Sequence, residues 1–416
     1  MSAIASPAPH NVNTDSTSNS IVQASAGIRV QAGSLNLPVS QAISINSALK
    51  HELLVVPSSS MPQFGAFHTI DIREKSIILN NITLQFTTSA VAGSSLVGYF
   101  TPAYYFFQRI ELVQSGNVID TIYGNQQFLI NQLLEWDEDR LAMNNAAGNY
   151  SSTAQRTLLS SQTTTNTFYV NLKSYFDQAK MSLLTQSHEI QLRVYMAPLA
   201  DVFTVSSGTL TSCTMQSCNA ICRITRLDTA TAQQRLQEMT LRPIHNVIHD
   251  LHYSPFSVAS GNTTATIILA PFVGNVSALY FTVRSSTVGF GAWAYQPLSS
   301  FALLDSGSTN IVGGLALPAS LCANVLNRYW CKFSYNTETA FGINNQGANF
   351  YMWSHSADPV SAHTQGQALS SRRYTGQEQL VLTWASALSS QVQIDVYAMV
   401  ENILEITPYS VNKRSL

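Results

Sequence analysis

The chain has 416 residues, and only 11% of them are Asp, Glu, Lys or Arg, against about 25% in ordinary soluble proteins; apolar residues make up a normal 45%. A formal net charge of −2 excludes a global field that would gather nucleic acid or an anionic surface. A surface so poor in charge is weakly defended against self-association, which points to an assembly.

The length allows two domains or one large all-β unit. The five cysteines fall in two clusters, Cys213, Cys218 and Cys222, then Cys322 and Cys331. Their odd number and spacing do not form a secreted disulfide framework, so reduced thiols are expected. Residues 1–27 lack the basic start and apolar centre of a signal peptide, and no apolar run reaches the roughly 18 residues that cross a bilayer. The expectation is a chain made inside a cell.

Residues 1–27 are rich in Ser, Asn, Ala and Pro and cannot bury enough surface to offset their ordering entropy, so they read as a flexible N-terminal arm. Short runs of β-branched and aromatic residues then recur between turn residues, the grammar of an all-β sandwich. "FHTIDI" (Phe67 to Ile72) and "ITLQFT" (Ile82 to Thr87) alternate with period two. "FFQRIELVQSGNVIDTIYG" (Phe106 to Gly124) reads as a hairpin around Gln114-Ser115-Gly116-Asn117. From Asn125 to about Met143 the period becomes helical, with Phe128, Leu129, Gln132, Leu133 and Trp136 on one stripe. Strands resume at Thr167 to Leu172, His188 to Ala197 and Ala220 to Thr229. "ATAQQRLQEM" (Ala230 to Met239) is composed of good helix formers and reads as a linker between two sets of strands.

The second half repeats the pattern at Thr264 to Val273, Ser277 to Arg284, Asn349 to Pro359, Glu378 to Trp384 and Val392 to Ile406. This is a duplication of structure without evident sequence identity. Pro408 stops the last strand, and Asn412-Lys413-Arg414 reads as a small basic tail.

Chemistry-bearing groups are few. Asp137-Glu138-Asp139 reads as a solvated helix face near Arg140 rather than an acid/base pair. His245, His249, Asp250 and His252 could converge on one helical or strand face as metal ligands, but packed or interfacial histidines fit better because no Glu follows the first His. Cys213, Cys218 and Cys222 lack zinc-ribbon spacing. Neither GxxxxGK[ST], GxGxxG nor GxSxG occurs, so no catalytic, cofactor-binding or metal residues are assigned and no enzyme is expected. In "SRRYTGQEQLVLTW" (Ser371 to Trp384), Arg372 and Arg373 precede a strand. Two guanidinium groups without interleaved aromatic residues make a thin phosphate site, and an ion-pair anchor beneath β-structure or no role at all stand beside that reading.

Six segments, in one order over about four-fifths of the chain, resemble the double jelly-roll major capsid proteins of double-stranded DNA viruses, the group of nucleocytoplasmic large DNA viruses, virophages and polinton-like elements. "FFQRIELVQSGNVIDTIYGNQQFLINQL" is similar to that family's strand, "ELxIGGxxID" hairpin and helix. "MSLLTQSHEIQLRVYMAP" resembles its "LPLxxLxxHExxxxI", matched by Leu183, Leu184, His188 and Glu189. "RITRLDTATAQQRLQE" is similar to "YxxLDxxERxxF" at Leu227, Asp228 and Arg235, and three further segments follow, ending at "IDVYAMVENILEI". The pattern departs at Thr364-Gln365-Gly366 and at Leu369 to Arg372; the resemblance puts Arg372 and Arg373 in a turn entering a barrel strand, which implies a structural anchor or a contact between subunits.

The resemblance implies two tandem eight-stranded jelly-roll β-sandwiches with short helices in loops and linker. The expected layout is an N-terminal arm over 1–27, a first jelly roll over 28–228, a helical linker over 229–243, a second jelly roll over 244–408 and a basic C-terminal tail over 409–416. It further implies a homotrimeric, pseudo-hexagonal capsomer in the shell of a virion assembled inside the host cell. Neighbouring capsomers, penton and minor capsid proteins would be its partners, and an internal membrane or the genome would meet the termini. Loops at Val91 to Pro102 and Ser285 to Ser300 would form an outer tower or clasps. The main rival is a carbohydrate- or receptor-binding β-sandwich of fibre or lectin type; a second is a hydrolase on a jelly-roll scaffold using the His245, His249 and His252 group.

Overall fold

The computed structural model describes residues 50–100, 103–114, 116–128, 142–143, 145–148, 165–173, 189–285, 298–309, 350–355 and 371–415, with short strand pieces at 22–23, 29–30, 183–184, 317–318 and 331–334. Apart from the ladder of β1 (Val22–Gln23) with β2 (Arg29–Val30), the expected N-terminal arm lies outside the described residues. So do the Asp137-Glu138-Asp139 cluster and most of the Ser285 to Ser300 loop.

The first barrel uses β3 (Lys50–Pro57), β4 (Phe67–Ile72), β5 (Ile77–Thr88), β6 (Ala92–Phe100), β7 (Phe107–Gln114), β8 (Asn117–Tyr123), β9 (Asn166–Leu172), β10 (Leu183–Leu184), β11 (Ile190–Met196), β12 (Phe203–Ser212) and β13 (Met215–Arg226). One sheet runs β10-β5-β13-β3, with β9 also on β5, and the facing sheet runs β4-β11-β7-β8. Period-two alternation does the work of placing side chains: Ile190, Leu192, Val194 and Met196 of β11 point into the same core as Ile82, Leu84 and Phe86 of β5. The hairpin between β7 and β8 turns at Gly116, whose φ of 82° suits glycine. The helical pattern expected from Asn125 begins directly after β8, at residues 124–128.

Residues 92–100, expected as part of a long loop, instead pair with β12 as a separate two-stranded ribbon. Their Gly and Ser content hid a strand whose partner lies a hundred residues away in sequence. The linker helix, α1 (Thr229–Leu241), is capped by Asp228, which accepts a hydrogen bond from the Thr231 amide at 2.8 Å. Its Ala232 and Met239 join the first core.

The second barrel comprises β14 (Ile244–Val258), β15 (Thr264–Ile268), β16 (Val273–Ser285), β17 (Ser300–Leu304), β18 (Leu317–Pro318), β19 (Cys331–Ser334), β20 (Phe350–Ser354), β21 (Arg372–Thr375), β22 (Gln379–Thr383), β23 (Val392–Ile406) and β24 (Val411–Ser415). Its sheets run β14-β23-β16-β20-β19, with β21 on β16 and β24 on β23, and β15-β22-β17-β18. The trio β14-β23-β16 repeats β3-β13-β5, and β15-β22-β17-β18 repeats β4-β11-β7-β8. The duplication read from the sequence is thus a repeat of strand order.

Val411–Ser415, expected as a basic tail, is a strand: Val411 pairs with Ile406 and Ser415 with Asn402. Its charges are held by acids of the neighbouring strands, Lys413 by Asp250 at 2.5 Å and Arg414 by Glu405 at 2.5 Å.

Gly124 sits where β8 passes into the helix, and a Cβ there would collide with the backbone oxygens of Tyr104 and Phe107. Gly124→Ala is therefore expected to destabilise the fold by about 3 kcal/mol or more, since backbone must move to admit it. Gly116→Ala meets open space and should cost only about 1 kcal/mol for its positive φ. Denaturant titration of the two variants checks the order; equal losses would contradict it.

Candidate assembly surfaces

The sheet carrying β23 is buried on both faces. Ile394, Val396, Ala398 and Val400 point into the second core with Leu279, Phe281 and Val283. The opposite face presents Tyr397 and Met399 beside Ala278 and Tyr280, and these belong to the same cluster as the first barrel's core. A bulge between Val276 and Ala278 sets this up. The extra residue reverses which face each following side chain of β16 meets. Ser277 at the bulge donates to the Met399 carbonyl and accepts from the His355 amide at 2.8 Å.

Aromatic contacts cross the seam between the barrels. Tyr123 of β8 meets Tyr253 of β14 with ring centroids 4.8 Å apart, and Tyr253 stacks on Tyr397 at 4.9 Å. A buried polar network sits on the same sheet. Arg284 Nε donates to Asp395 Oδ2 at 2.8 Å, while Tyr253 and Gln393 donate to Asp395 Oδ1 at 2.9 and 2.8 Å. Burial first, then the adjacent Asp395 charge, pushes the Tyr253 hydroxyl pKa far up, so the phenol stays a donor.

The histidines singled out from the sequence lie on one strand, β14, not on a helix. They do not converge. His245 faces Glu405 at 3.9 Å, His249 faces Glu401 at 3.6 Å, and His252 faces Asp250 at 3.3 Å. His245 and His249 are directly opposite their carboxylates in the ladder with β23. Burial would raise the Asp250 carboxyl, but the hydrogen bond from His252 and the charge of Lys413 outweigh it and hold the group below the usual carboxylate range. Among the described residues no group of three or more His, Cys, Asp or Glu is placed to hold a metal ion. Cys213, Cys218 and Cys222 are buried free thiols, and burial pushes Cys213 to about 11 and Cys222 to about 12. They line the core of the first barrel.

Arg372 and Arg373 open β21, opposite Val276 and Asn275 of β16. Arg372 lies 3.6 Å from Asp305 and is partly exposed; Arg373 is exposed and makes no ion pair among the described residues. The firmest contacts of this turn belong to residues the sequence reading passed over. Tyr374 is fully buried and its hydroxyl meets His355 Nε2 at 3.0 Å. The buried Glu378 carboxylate accepts from the amides of Thr375 and Gly376 at 3.0 Å. A Glu two residues beyond a Thr-Gly step was the available signal.

Among the described residues, one sheet face of the first barrel carries exposed apolar side chains. The outward side of β3-β13-β5-β9 carries Leu53, Val55, Ile221, Thr83, Gln85, Asn219 and Tyr169, with Arg223 as its exposed charge. Asn219 donates to Gln85 at 3.0 Å and Gln85 to the Tyr169 hydroxyl at 3.1 Å, a neutral hydrogen-bonded row.

Residues 54–236 match the family model described as the N-terminus of the major capsid protein. No curated protein matches the chain by sequence. Among solved structures, the capsid of the virus PBCV-1 aligns at 16% identity with a TM-score of 0.66, covering 88% of this chain and 96% of that one. The Faustovirus major capsid protein aligns at 8% identity and 0.64, covering 86% and 91%. The mavirus major capsid protein aligns at 9% and 0.50, covering 100% and 96%. At these identities the likeness shows a shared double jelly-roll fold.

Replacing Asp395 by Ala leaves the buried Arg284 charge uncompensated and is expected to cost about 3–5 kcal/mol, whereas Arg284→Met combined with Asp395→Leu should recover most of it. Thermal denaturation of the three variants checks this; a harmless Asp395→Ala would contradict it. A second expectation concerns pH. Burial lowers His68 to about 4, and burial followed by the charge of Arg372 lowers His355 to about 4, from an ordinary 6.5. Between those values the unfolded chain binds more protons than the folded one, so stability is complete above pH 6.5 and falls as pH drops toward 4. His68→Gln with His355→Gln should flatten a urea-midpoint profile across that window; an unchanged slope would contradict the assignment.

Proposed function

We infer that the chain is a double jelly-roll major capsid protein, the structural subunit of an icosahedral double-stranded DNA virus shell and a component of the virion: its first barrel matches that family and both barrels share the fold of solved capsid proteins. The single observation that carries the reading is the repeat of one strand order in two barrels joined through a common buried sheet. Mechanism here is packing. Each barrel holds its own core, and low-charge flanks are left for other copies.

The capsomer is a homotrimer in which two barrels from each of three chains stand around one axis, and neighbouring capsomers tile beside it. This reading is supported by the scarcity of charge and by the exposed, sparsely charged sheet face of the first barrel. Arg372 serves as an anchor to Asp305, and Arg373, without an ion pair among the described residues, serves as a contact between subunits. Penton and minor capsid proteins are the further partners, and the N-terminal segment is the part placed to meet an internal membrane or the genome.

Light scattering on the purified protein is expected to give three times 45.4 kDa, with hexagonal tiles in negative stain at high concentration. Arg373→Glu should weaken the tiles or the trimer without lowering the unfolding temperature. A particle of 45.4 kDa at every concentration would overturn the reading.

A further inference from the structure

Charge is scarce in this chain, at 11% of residues, and one sheet face holds a concentrated share of it. The outward side of β4-β11-β7-β8 carries Asp71, Arg109, Glu111 and Arg193, with Arg73 just past the end of β4. Period-two alternation sends Ile70, Leu192, Val194, Ile110 and Leu112 of the same strands into the first core, so the residues between them face outward. Across the strands, Phe67 lies opposite Tyr195, Tyr195 opposite Arg109 and Arg109 opposite Tyr123. Thr69, Arg193 and Glu111 form the next row.

These rows are locked together. Phe67, 51% exposed, packs on Tyr195 with ring centroids 4.9 Å apart, and the Arg109 guanidinium lies 3.9 Å over the centre of the Tyr195 ring. Arg109 Nε donates to Glu111 Oε1 at 3.0 Å, and the Tyr195 hydroxyl donates to Glu111 Oε2 at 3.1 Å. Arg193 Nε donates to Gln191 Oε1 at 2.9 Å, Gln191 Nε2 to Asp71 Oδ1 at 2.8 Å, and Arg73 to Asp71 Oδ2 at 3.0 Å. Flat side chains that hold one another in place lose little freedom when a ligand arrives. At the end of the first row Tyr123 is seated on Tyr253 of β14, so the second barrel walls the face on that side.

We propose that this face binds a neutral glycan, an oligosaccharide whose pyranose ring rests on Phe67 and whose hydroxyls meet Arg109, Glu111, Arg193 and Asp71. The apolar C–H face of a sugar packs on an aromatic ring, and its vicinal hydroxyls are spaced to bridge the two oxygens of a carboxylate or two N–H groups of a guanidinium. Nucleic acid fits less well, although arginines do stand among aromatic rings here. Glu111 and Asp71 already partner those arginines, and both carboxylates repel phosphate. A protein partner with an apolar surface would strip water from five charged groups, whereas sugar hydroxyls replace that water. Charge compensation within the face thus selects an uncharged, hydroxyl-rich ligand. The inference goes beyond the capsomer reading and does not depend on it, because every residue of the face belongs to one chain.

The test uses the full chain in the assembly it forms. Calorimetric titration and saturation-transfer NMR are run with maltohexaose, cellohexaose, mannohexaose and chitohexaose, and with oligothymidylate as the anionic comparison. At least one of the four neutral sugars is expected to bind the wild type, with its ring C–H protons saturated from the protein. Phe67→Ala and, separately, Arg193→Ala are each expected to weaken that binding about tenfold. Leu241→Ala, at an exposed position on α1 and off this face, should leave it unchanged. Raising salt from about 50 to about 200 mM should not alter sugar binding, whereas a ligand held by three phosphate contacts would lose roughly tenfold or more. Absence of binding to all four sugars, full affinity in both face variants, or tighter and salt-sensitive binding of oligothymidylate overturns the proposal. So does sugar binding that emerges only after dilution to single chains, since another copy would then cover the face. None of these outcomes decides the capsomer reading, which the particle mass tests.

Discussion

Burial of one β-sheet on both faces is the constraint from which the rest of this molecule follows. Strand β23 sends Ile394, Val396, Ala398 and Val400 into its own barrel and Tyr397 and Met399 into the cluster of the other. Over residues 396–400 the strand has no solvent side and reads as a continuous apolar run, with its polar residues Gln393, Asp395, Glu401, Asn402 and Glu405 to either side. The bulge at Ser277 keeps the neighbouring β16 in step with this demand. Independent barrels on a flexible tether would need neither feature.

Polar groups inside such a seam cost least when they are satisfied. The Arg284, Asp395, Tyr253 and Gln393 network meets that condition, and its directional bonds tie β14, β23 and β16 together on the side of the sheet that faces the first barrel. Lower on the same pair of strands, His249 faces Glu401 at 3.6 Å and His245 faces Glu405 at 3.9 Å, imidazole and carboxylate neighbours across the ladder at decreasing burial. The C-terminal strand completes it, as Val411 enters the shared core while Lys413 and Arg414 bind acids of β14 and β23. Histidines that invite a metal or catalytic reading in one dimension are thus cross-strand partners of carboxylates about 150 residues away, as the ladder of His245 and His249 with Glu405 and Glu401 shows.

Legibility in the sequence followed the physics of each element. Half-buried strands such as Phe67–Ile72 and Ile190–Met196 announced themselves through period two, and the β7-β8 hairpin through its Gly-Asn turn. The linker helix was visible in composition, although its cap, Asp228, was visible only as part of a family-like motif. Elements defined by distant partners were not legible. Strand β6 looked like a loop because Gly and Ser break up its apolar residues, and β24 looked like a tail because its two bases show no local acid. At the β21 turn, paired charge drew attention to Arg372 and Arg373, while burial concentrates the fixing contacts on Tyr374 and Glu378. The open face of the first barrel escaped sequence reading for a similar reason: Leu53 and Val55 signal little until Ile221 and Tyr169 are brought beside them.

Native-state hydrogen exchange of the full chain tests the central claim most directly. If the doubly buried sheet unites the barrels, backbone amides of Val392–Ile406 exchange only through global unfolding, with the same free energy as those of Met215–Arg226 in the first barrel. Exchange of the β23 amides at a distinctly lower free energy, while β13 stays protected, would show that the barrels open separately and contradict the account.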